Sequence, residues 1–214
     1  LNYEFFFGAD KNNFSIEELK SKNIYNETLA MEHHRYSKPM TPGQIGCSLS
    51  HKMIYEKIIK EDYKKVLILE DDVVPAENSI ILFTEIIKEL PNDWELLYLD
   101  YSKNEKPKPL KKFWYHIQKI LDGLKWSHTI INNLYAKKLS NHIAVAGFHD
   151  YTDAYAVTIN AAKKLLEMQT PVCYVADNLL ATASSSKKIN AFISAPKLFR
   201  QLSQDKTSSF DSLL

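Results

Sequence analysis

Short apolar runs alternate along this chain with stretches in which apolar residues recur at helical spacing. The apolar runs predict strands at Tyr3–Phe7, Val66–Leu69, Glu95–Leu99, Ile143–Ala146, Asp153–Val157, Val172–Val175 and Asn190–Ser194, the last of which precedes a polar tail. The periodic stretches predict helices at Ser15–Lys22, Thr41 to about Lys60, Ser79–Leu90, Ala161–Met168 and Asp177 to about Thr182. This alternation is typical of an α/β layer architecture.

Two of the predicted helices begin with a capping box, in which two side chains satisfy backbone N–H groups reciprocally. Ser15 with Glu18 opens the first, and Thr41-Pro42-Gly43-Gln44 opens the second. We expect the second helix to bury one face, formed by Cys47, His51, Ile54, Tyr55 and Ile58.

Composition places the chain among ordinary globular proteins. Its 214 residues are 45% hydrophobic and 25% charged, with a net charge of +1 that gives no reason to expect a nucleic-acid partner. No run approaches 18 apolar residues, so no transmembrane helix is predicted. Cys47 and Cys173 both lie in apolar surroundings, and two free, buried thiols fit a reducing compartment, which predicts the cytoplasm.

The unbroken apolar run Val66–Leu69 predicts a buried, central strand, and it leads directly into three carboxylates, Glu70, Asp71 and Asp72. In open α/β sheets ligands bind beyond the carboxyl ends of strands. On an extended chain Glu70 and Asp72 point one way and Asp71 the other. Two carboxylates about 4 Å apart repel by about 4 kcal/mol at an effective dielectric constant of 20. The cluster therefore predicts either a solvated turn or a Mg²⁺ or Mn²⁺ site shared with a substrate diphosphate.

A second strand ends in a carboxylate, because Asp100 follows Glu95–Leu99. The next residue, Tyr101, is a candidate to stack on a nucleotide base or a sugar, although aromatic residues are common after strands.

Residues 103–138 are strongly basic, with nine lysines and two acidic residues for a net charge of +7. Apolar residues recur there at helical spacing, with aromatic flanks: Phe113, Ile117, Ile120, Leu121 and Leu124, beside Trp114, Tyr115 and Trp126. A basic amphipathic helix of this kind suits an anionic membrane surface. The alternative, which we favour from sequence, is a solvated insertion whose apolar stripe packs on the core.

Several motifs in a fixed order resemble glycosyltransferase family 25, the lipopolysaccharide and lipooligosaccharide biosynthesis enzymes, with the collagen galactosyltransferases as distant relatives. The resemblance extends from about Tyr3 to Pro196. The motifs that carry it are the segments 42–51 (PGQIGCSLSH), 67–72 (LILEDD), 93–99 (DWELLYL), 154–157 (AYAV) with 161–166 (AAKKLL), and 175–180 (VADNLL). Each motif alone is weak, whereas the ordered set is specific.

The resemblance implies a GT-A-like nucleotide-sugar transferase fold in one domain over residues 1–214, with a mixed sheet between helices and the Lys-rich segment as an insertion. It further implies a divalent metal, Mn²⁺ or Mg²⁺, and transfer of a hexose, most often galactose from UDP-galactose, with inversion. Glu70 and Asp72 would stand in the Asp-x-Asp-type motif as metal ligands, with Asp71 between them at the cofactor. The acceptor would be a lipid-linked oligosaccharide, and the enzyme would work in the cytoplasm, in peripheral contact with the inner membrane.

An inverting transfer needs a general base that takes the proton of the acceptor hydroxyl. Asp177 is the first candidate, because it lies between an apolar run and a helix and matches the late Pro-x-Asp-type motif, although it would serve equally as a plain helix cap. Asp153 is the reserve candidate. His51, Ser50 and Gln44 belong to the family's Gly-Cys-x-x-Ser-His region and are candidates to contact donor or acceptor, although a lone His on an apolar helix face is more often a core residue.

The chain departs from the family pattern at its start. Family members usually begin with a further strand and an Arg-rich turn, whereas this sequence opens at Leu1 without Met, so we expect a preceding N-terminal strand. Three other functions stay open: a Mg²⁺-binding receiver domain with Asp100 as phosphoryl acceptor, a non-catalytic transferase homologue acting as a scaffold, and a metal-dependent phosphohydrolase.

Overall fold

The structure is a computed structural model, and it describes residues 2–202. Within this range the helices are α1 (Ile16–Ser21), α2 (Glu27–His33), α3 (Pro42–Lys60), α4 (Ser79–Glu89), α5 (Pro109–Ile120), α6 (His128–Asn132), α7 (Ile159–Met168) and α8 (Ala176–Ser185). The strands are β1 (Lys65–Leu69), β2 (Val73–Pro75), β3 (Leu96–Tyr98), β4 (Lys137–Lys138), β5 (Ile143–Val145), β6 (Ala154–Thr158), β7 (Ala191–Ser194) and β8 (Phe199–Gln201).

Six strands form one mixed sheet in the order β1-β6-β3-β7-β5-β4. β3 and β7 run parallel, and every other pair in this sheet is antiparallel. Helices cover both faces of the sheet, which confirms the expected mixed α/β fold and is consistent with a GT-A-like architecture. An all-parallel doubly wound receiver sheet would have no antiparallel β6 at this position.

Alternation along β3 divides the core between the two faces of the sheet. Leu96 and Tyr98 pack with side chains of α3, α7 and α8 in one cluster. Leu97 and Leu99 pack with Ile86 and other side chains around α4 in a second cluster. The three β3 side chains and that of the following Leu99 are all fully buried, so this strand is the centre of the molecule.

β1 lies at an edge of the sheet, which corrects the interpretation of Val66–Leu69 as a buried, central strand. Its single partner within the described part of the chain is β6, and Leu67 and Leu69 are exposed while Ile68 is buried. A continuous apolar run is typical of a strand covered on both faces, but in β1 every second side chain faces solvent. The chain turns at Asp71–Asp72, so the extended backbone ends at Glu70. The alternation of side chains that predicted Glu70 and Asp72 on the same side therefore does not apply to Asp72.

Three further local predictions were wrong. Residues 3–7 form no strand; this exposed segment is held to α3 at its end, where the Ala9 N–H donates to Ser50 Oγ at 2.9 Å. Residues 172–175 form no strand either, apart from an isolated bridge between Val172 and Tyr25. The polar tail predicted after Ser194 contains β8, which pairs with β2.

The helix predicted from Thr41 is confirmed as α3, with both halves of its capping box formed. Its buried face includes His51, Tyr55 and Ile58, as expected, but Cys47 is exposed, which corrects its assignment as a buried thiol. At the start of α1, Ser15 accepts from the Glu18 N–H, whereas the Glu18 carboxylate pairs with Lys22 instead of returning to the cap.

The basic segment contains α5, α6 and β4. We predicted that its apolar stripe packs on the core, but most of the stripe faces solvent. Phe113, Trp114, Ile120 and Leu121 are exposed, whereas Leu124 is buried. Among residues 2–202, no helix combines the length and the apolar character needed to cross a bilayer.

Candidate active site

Antiparallel pairing brings three loop carboxylates to one edge of the sheet. Leu69 at the end of β1 pairs with Ala154 at the start of β6, and the Glu70 N–H donates to the Asp153 carbonyl at 2.8 Å. On the other side of β6, the Asp100 N–H donates to the Ala154 carbonyl at 3.2 Å. We call these three carboxylates, together with Asp72, whose charge acts on Asp153, the acidic edge.

Three carboxylates of the acidic edge each hold a buried oxygen that lacks a hydrogen-bond partner among residues 2–202. These atoms are Asp72 Oδ1, Asp100 Oδ2 and Asp153 Oδ2. Leaving a buried charged acceptor unsatisfied typically costs more than about 1–3 kcal/mol, so a native fold that does so needs an explanation. Carboxylate oxygens are the ligands that Mg²⁺ and Mn²⁺ prefer, and the residues present therefore fit a hard divalent cation.

The electrostatics agree with a site that is short of positive charge. Burial raises the pKa of Asp153 to about 7, and the charges of Glu70, Asp100 and Asp72 add to the effect. Burial likewise raises the pKa of Asp72 and of Asp100 above the usual value. Lys197 is the lysine that pairs with a carboxylate of the acidic edge, and its Nζ lies 3.9 Å from Asp100 Oδ1.

Glu70 differs from the other three because the side chain of another residue donates a hydrogen bond to its carboxylate. Thr152 Oγ1 donates to its carboxylate at 2.8 Å, and His51 Nε2 lies 3.5 Å away. Burial opposes its ionisation, but these two hydrogen bonds outweigh burial and hold the pKa of Glu70 below its usual value. His51 is in turn fixed through its other nitrogen, which lies 2.8 Å from the Tyr155 hydroxyl.

A second group of ligand atoms adjoins the acidic edge. Within residues 2–202, only Cys47, His51 and Glu70 bring three such atoms within 4.8 Å of one another. A thiol and an imidazole favour softer metals such as zinc. The four carboxylates are more widely spaced, as expected where Mg²⁺ keeps water and substrate phosphates among its ligands.

Asp177 lies in the first turn of α8 and faces a neighbouring cavity of about 260 Å³. Burial, reinforced by the charge of Asp150, raises the pKa of Asp177, and Lys103 opposes this rise. Lys103 itself is paired with Asp150. The cavity is also lined by Gln44 and by a cation–aromatic group that includes Arg35, Tyr36, Tyr115 and Trp126.

Residues 1–180 match the profile of Glycosyltransferase family 25 (LPS biosynthesis protein). The chain belongs to glycosyltransferase family 25. Family membership makes it a glycosyltransferase homologue.

Similar family-25 proteins come from animals. The chain is 28% identical over 174 residues to a Glycosyltransferase 25 family member of Aedes aegypti, which covers 78% of this chain and 24% of that protein. It is 32% identical over 107 residues to Procollagen galactosyltransferase 2 of Mus musculus (48% and 17%). It is 26% identical over 135 residues to the Inactive glycosyltransferase 25 family member 3 of Homo sapiens (62% and 18%). The chain thus spans a quarter or less of the length of these relatives.

The other residues predicted from the family-25 motifs have structural contacts of their own. Ser50 Oγ donates to the Gly46 carbonyl at 2.8 Å and accepts from Ala9, and Gln44 completes the cap of α3. Tyr101 is buried with its ring centroid 5.3 Å from that of His149. Asp71 is exposed in the turn after β1. The roles assigned to these residues stay predictions.

Sequence reasoning missed three polar groups near the candidate sites. His149 is fully buried, its Nε2 has no hydrogen-bond partner among residues 2–202, and burial lowers its pKa. Thr152 holds Glu70, and Arg35 lines the Asp177 cavity. The one available signal was the polar run between β5 and β6 that includes His149 and Thr152; Arg35 had none, because only the tertiary fold brings it to α8.

Proposed function

We propose that this protein is an active, metal-dependent, inverting hexosyltransferase that moves galactose from UDP-galactose to a lipooligosaccharide or lipopolysaccharide acceptor. The acidic edge carries the proposal, since it holds three buried carboxylate oxygens that find no partner within residues 2–202. A scaffold has no reason to keep such a feature. Family membership supports the reaction class, and the relative named for galactosyl transfer supports the choice of sugar.

Glu70 and Asp72 would hold the Mn²⁺ or Mg²⁺, with Asp100 and Asp153 completing the negative environment. The bound ion would neutralise the diphosphate and so stabilise UDP as the leaving group. The protein's own part is to place these carboxylates: Thr152 and His51 fix Glu70, and the pairing of β6 with β1 and β3 fixes Asp153 and Asp100.

Asp177 would act as the general base, accepting the proton of the acceptor hydroxyl as that oxygen attacks the anomeric carbon. A base is most effective when its pKa lies near the working pH, and burial moves the pKa of Asp177 in that direction. The cavity in front of it is lined by Asn104, Asn178 and the Arg35 guanidinium, which lies over the rings of Tyr36 and Trp126. Polar donors beside aromatic rings are a lining that suits a sugar ring.

The acceptor is proposed from the family description, which names LPS biosynthesis. A lipid-linked acceptor also leads us to propose a cytoplasmic location at the inner face of the membrane. Two relatives favour other outcomes, because one is named for procollagen and one is named inactive. A collagen-like peptide acceptor and a non-catalytic role are therefore the alternatives that the experiment must separate.

The test measures UDP release from a panel of nucleotide sugars with Mn²⁺ and with EDTA, first without acceptor and then with oligosaccharide or collagen-like peptide. We expect UDP-galactose with Mn²⁺ to give the fastest release and the oligosaccharide to accelerate it. Asp72→Asn should abolish the metal-dependent part, whereas Glu77→Gln, at an exposed acid in the turn after β2, should not. Absence of turnover with every donor would contradict an enzymatic role, and preference for the peptide would contradict the proposed acceptor.

A further inference from the structure

The helix α5 presents a continuous apolar stripe to solvent. Leu110, Phe113, Trp114, Ile120 and Leu121 are 86%, 64%, 55%, 76% and 74% exposed, respectively. Their spacing of three and four residues places them on one side of the helix, with the half-buried Ile117 between them. Exposed side chains of this size usually occur singly, so a stripe of five along a helix about 18 Å long marks an interaction surface.

The opposite side of α5 is anchored to the protein, which fixes the direction of the stripe. Tyr115 is buried, with its ring 5.5 Å from that of Trp126, and its hydroxyl accepts from Arg35. Lys112 Nζ donates to the Asn132 carbonyl at 3.1 Å and ties α5 to α6. Turning the stripe inward would break these contacts, so it faces outward in the folded protein.

The charge around the stripe identifies the chemistry of its partner. Lys106 and Lys108, just before α5, form no ion pair within residues 2–202, and the segment 103–138 carries a net charge of +7. Two copies of this chain would bring two such positive segments together, which disfavours self-association through this face. An anionic lipid surface offers both an apolar layer for the stripe and phosphate groups for the lysines.

We propose that α5 lies in the interface of an anionic bilayer, with the stripe inserted at the level of the acyl chains and the flanking lysines at the phosphates. The binding of α5 to a bilayer is argued from its own side chains. Its purpose, to bring a lipid-linked acceptor to the enzyme, rests on the proposed function. Lys111 and Tyr115 of α5 also line the cavity of Asp177, so docking through this helix places the mouth of that cavity beside the membrane.

The test is flotation of the full chain with vesicles of phosphatidylcholine and phosphatidylglycerol in equal parts, and with phosphatidylcholine alone. We expect binding to the anionic vesicles that weakens as salt is added. The double variant Phe113→Ser/Trp114→Ser should bind at least about tenfold more weakly. The matched control Ile80→Ser/Ile81→Ser removes two side chains that are 81% and 65% exposed on α4, and it should bind like the wild type.

Tryptophan fluorescence reports which surface is inserted. Trp94 and Trp126 are buried, so Trp114 is the tryptophan that can move from water into lipid. Vesicles should shift the emission to shorter wavelength, and Trp114→Phe should lose this shift while still floating. Circular dichroism checks that each variant is folded.

Three results would overturn the inference. The first is a wild-type protein that stays with the solvent at low salt, and the second is a double variant that floats as well as the control. The third is a wild-type dimer in light scattering that the double variant converts to monomer, which would make α5 a contact between copies. UDP release in the absence of vesicles is measured in parallel, so failure of docking and failure of the proposed function are distinguishable.

Discussion

Replacing Asp153 by Asn should stabilise the protein once divalent metal has been removed. The Asp153 carboxylate is 4% exposed, and its Oδ2 has no partner among residues 2–202. Burial, together with the nearby negative charges of Glu70, Asp100 and Asp72, raises the pKa of Asp153 to about 7. An amide of the same shape carries no charge, and it can donate to a neighbouring carboxylate.

The magnitude follows from the pKa. The interval between the ordinary value of 3.8 and about 7 corresponds to about 4 kcal/mol at about 1.4 kcal/mol for each pH unit. Because the folded-state pKa is the higher one, the unfolded state loses its proton first. The wild-type free energy of unfolding therefore falls as the pH rises from about 4 to about 7, by at most about 4 kcal/mol from this group. In Asp153→Asn this pH-dependent fall in the free energy of unfolding is absent, because the amide does not titrate.

Urea denaturation in EDTA at about pH 4.5 and about pH 8 measures the effect. We expect the two proteins to be similar in stability at the lower pH and Asp153→Asn to be the more stable at the higher pH. Asp71→Asn is the matched control, since it removes an exposed charge from the adjacent turn and should change stability by under about 1 kcal/mol. A variant less stable than the wild type at high pH, or a difference independent of pH, would refute the reasoning.

Three further predictions concern other parts of the molecule. Asp177→Asn should bind UDP-galactose normally in calorimetry yet lower kcat about 100-fold or more, and the wild-type rate should fall as the pH drops through the raised pKa, while equal rates would place the base elsewhere. Gly46→Ala should lower the melting temperature, because the added Cβ would lie 3.0 Å from the Ala9 carbonyl oxygen. In the control Gly43→Ala the Cβ meets nothing within 4 Å, so this variant should be neutral or stabilising, and the opposite order of melting temperatures would contradict the packing. Leu165→Ala, at a fully buried position, should lower the free energy of unfolding by about 2–5 kcal/mol in urea titrations, and a smaller loss would place the core elsewhere.

Local signals predicted the elements that local physics determines. The capping box at Thr41 and the helical spacing after it were sufficient for α3, and the apolar runs located β1, β3, β6 and β7 to within one or two residues. The depth of each element was harder to predict, because burial depends on which neighbours arrive. Leu67 and Leu69 are exposed only because β1 ends up at the sheet edge, and the stripe of α5 is exposed because Tyr115 is the side chain that packs inward.

The candidate site shows the same division. Glu70, Asp72 and Asp100 were predicted as site residues because each follows a strand, and position after a strand is visible in sequence. Asp153 precedes a strand, and only the antiparallel register of β6 brings it between Glu70 and Asp100. Register depends on pairing between segments some eighty residues apart in the chain, which no local pattern encodes. The same limit hid Thr152 and Arg35.

Calorimetric titration of UDP tests most directly whether the acidic edge holds an ion against a nucleoside diphosphate. The account predicts saturable binding to the wild type in Mn²⁺, little or no binding in EDTA, and loss of the Mn²⁺-dependent heat in Asp72→Asn. Equal binding isotherms for UDP in Mn²⁺ and in EDTA, unchanged by Asp72→Asn, would contradict it.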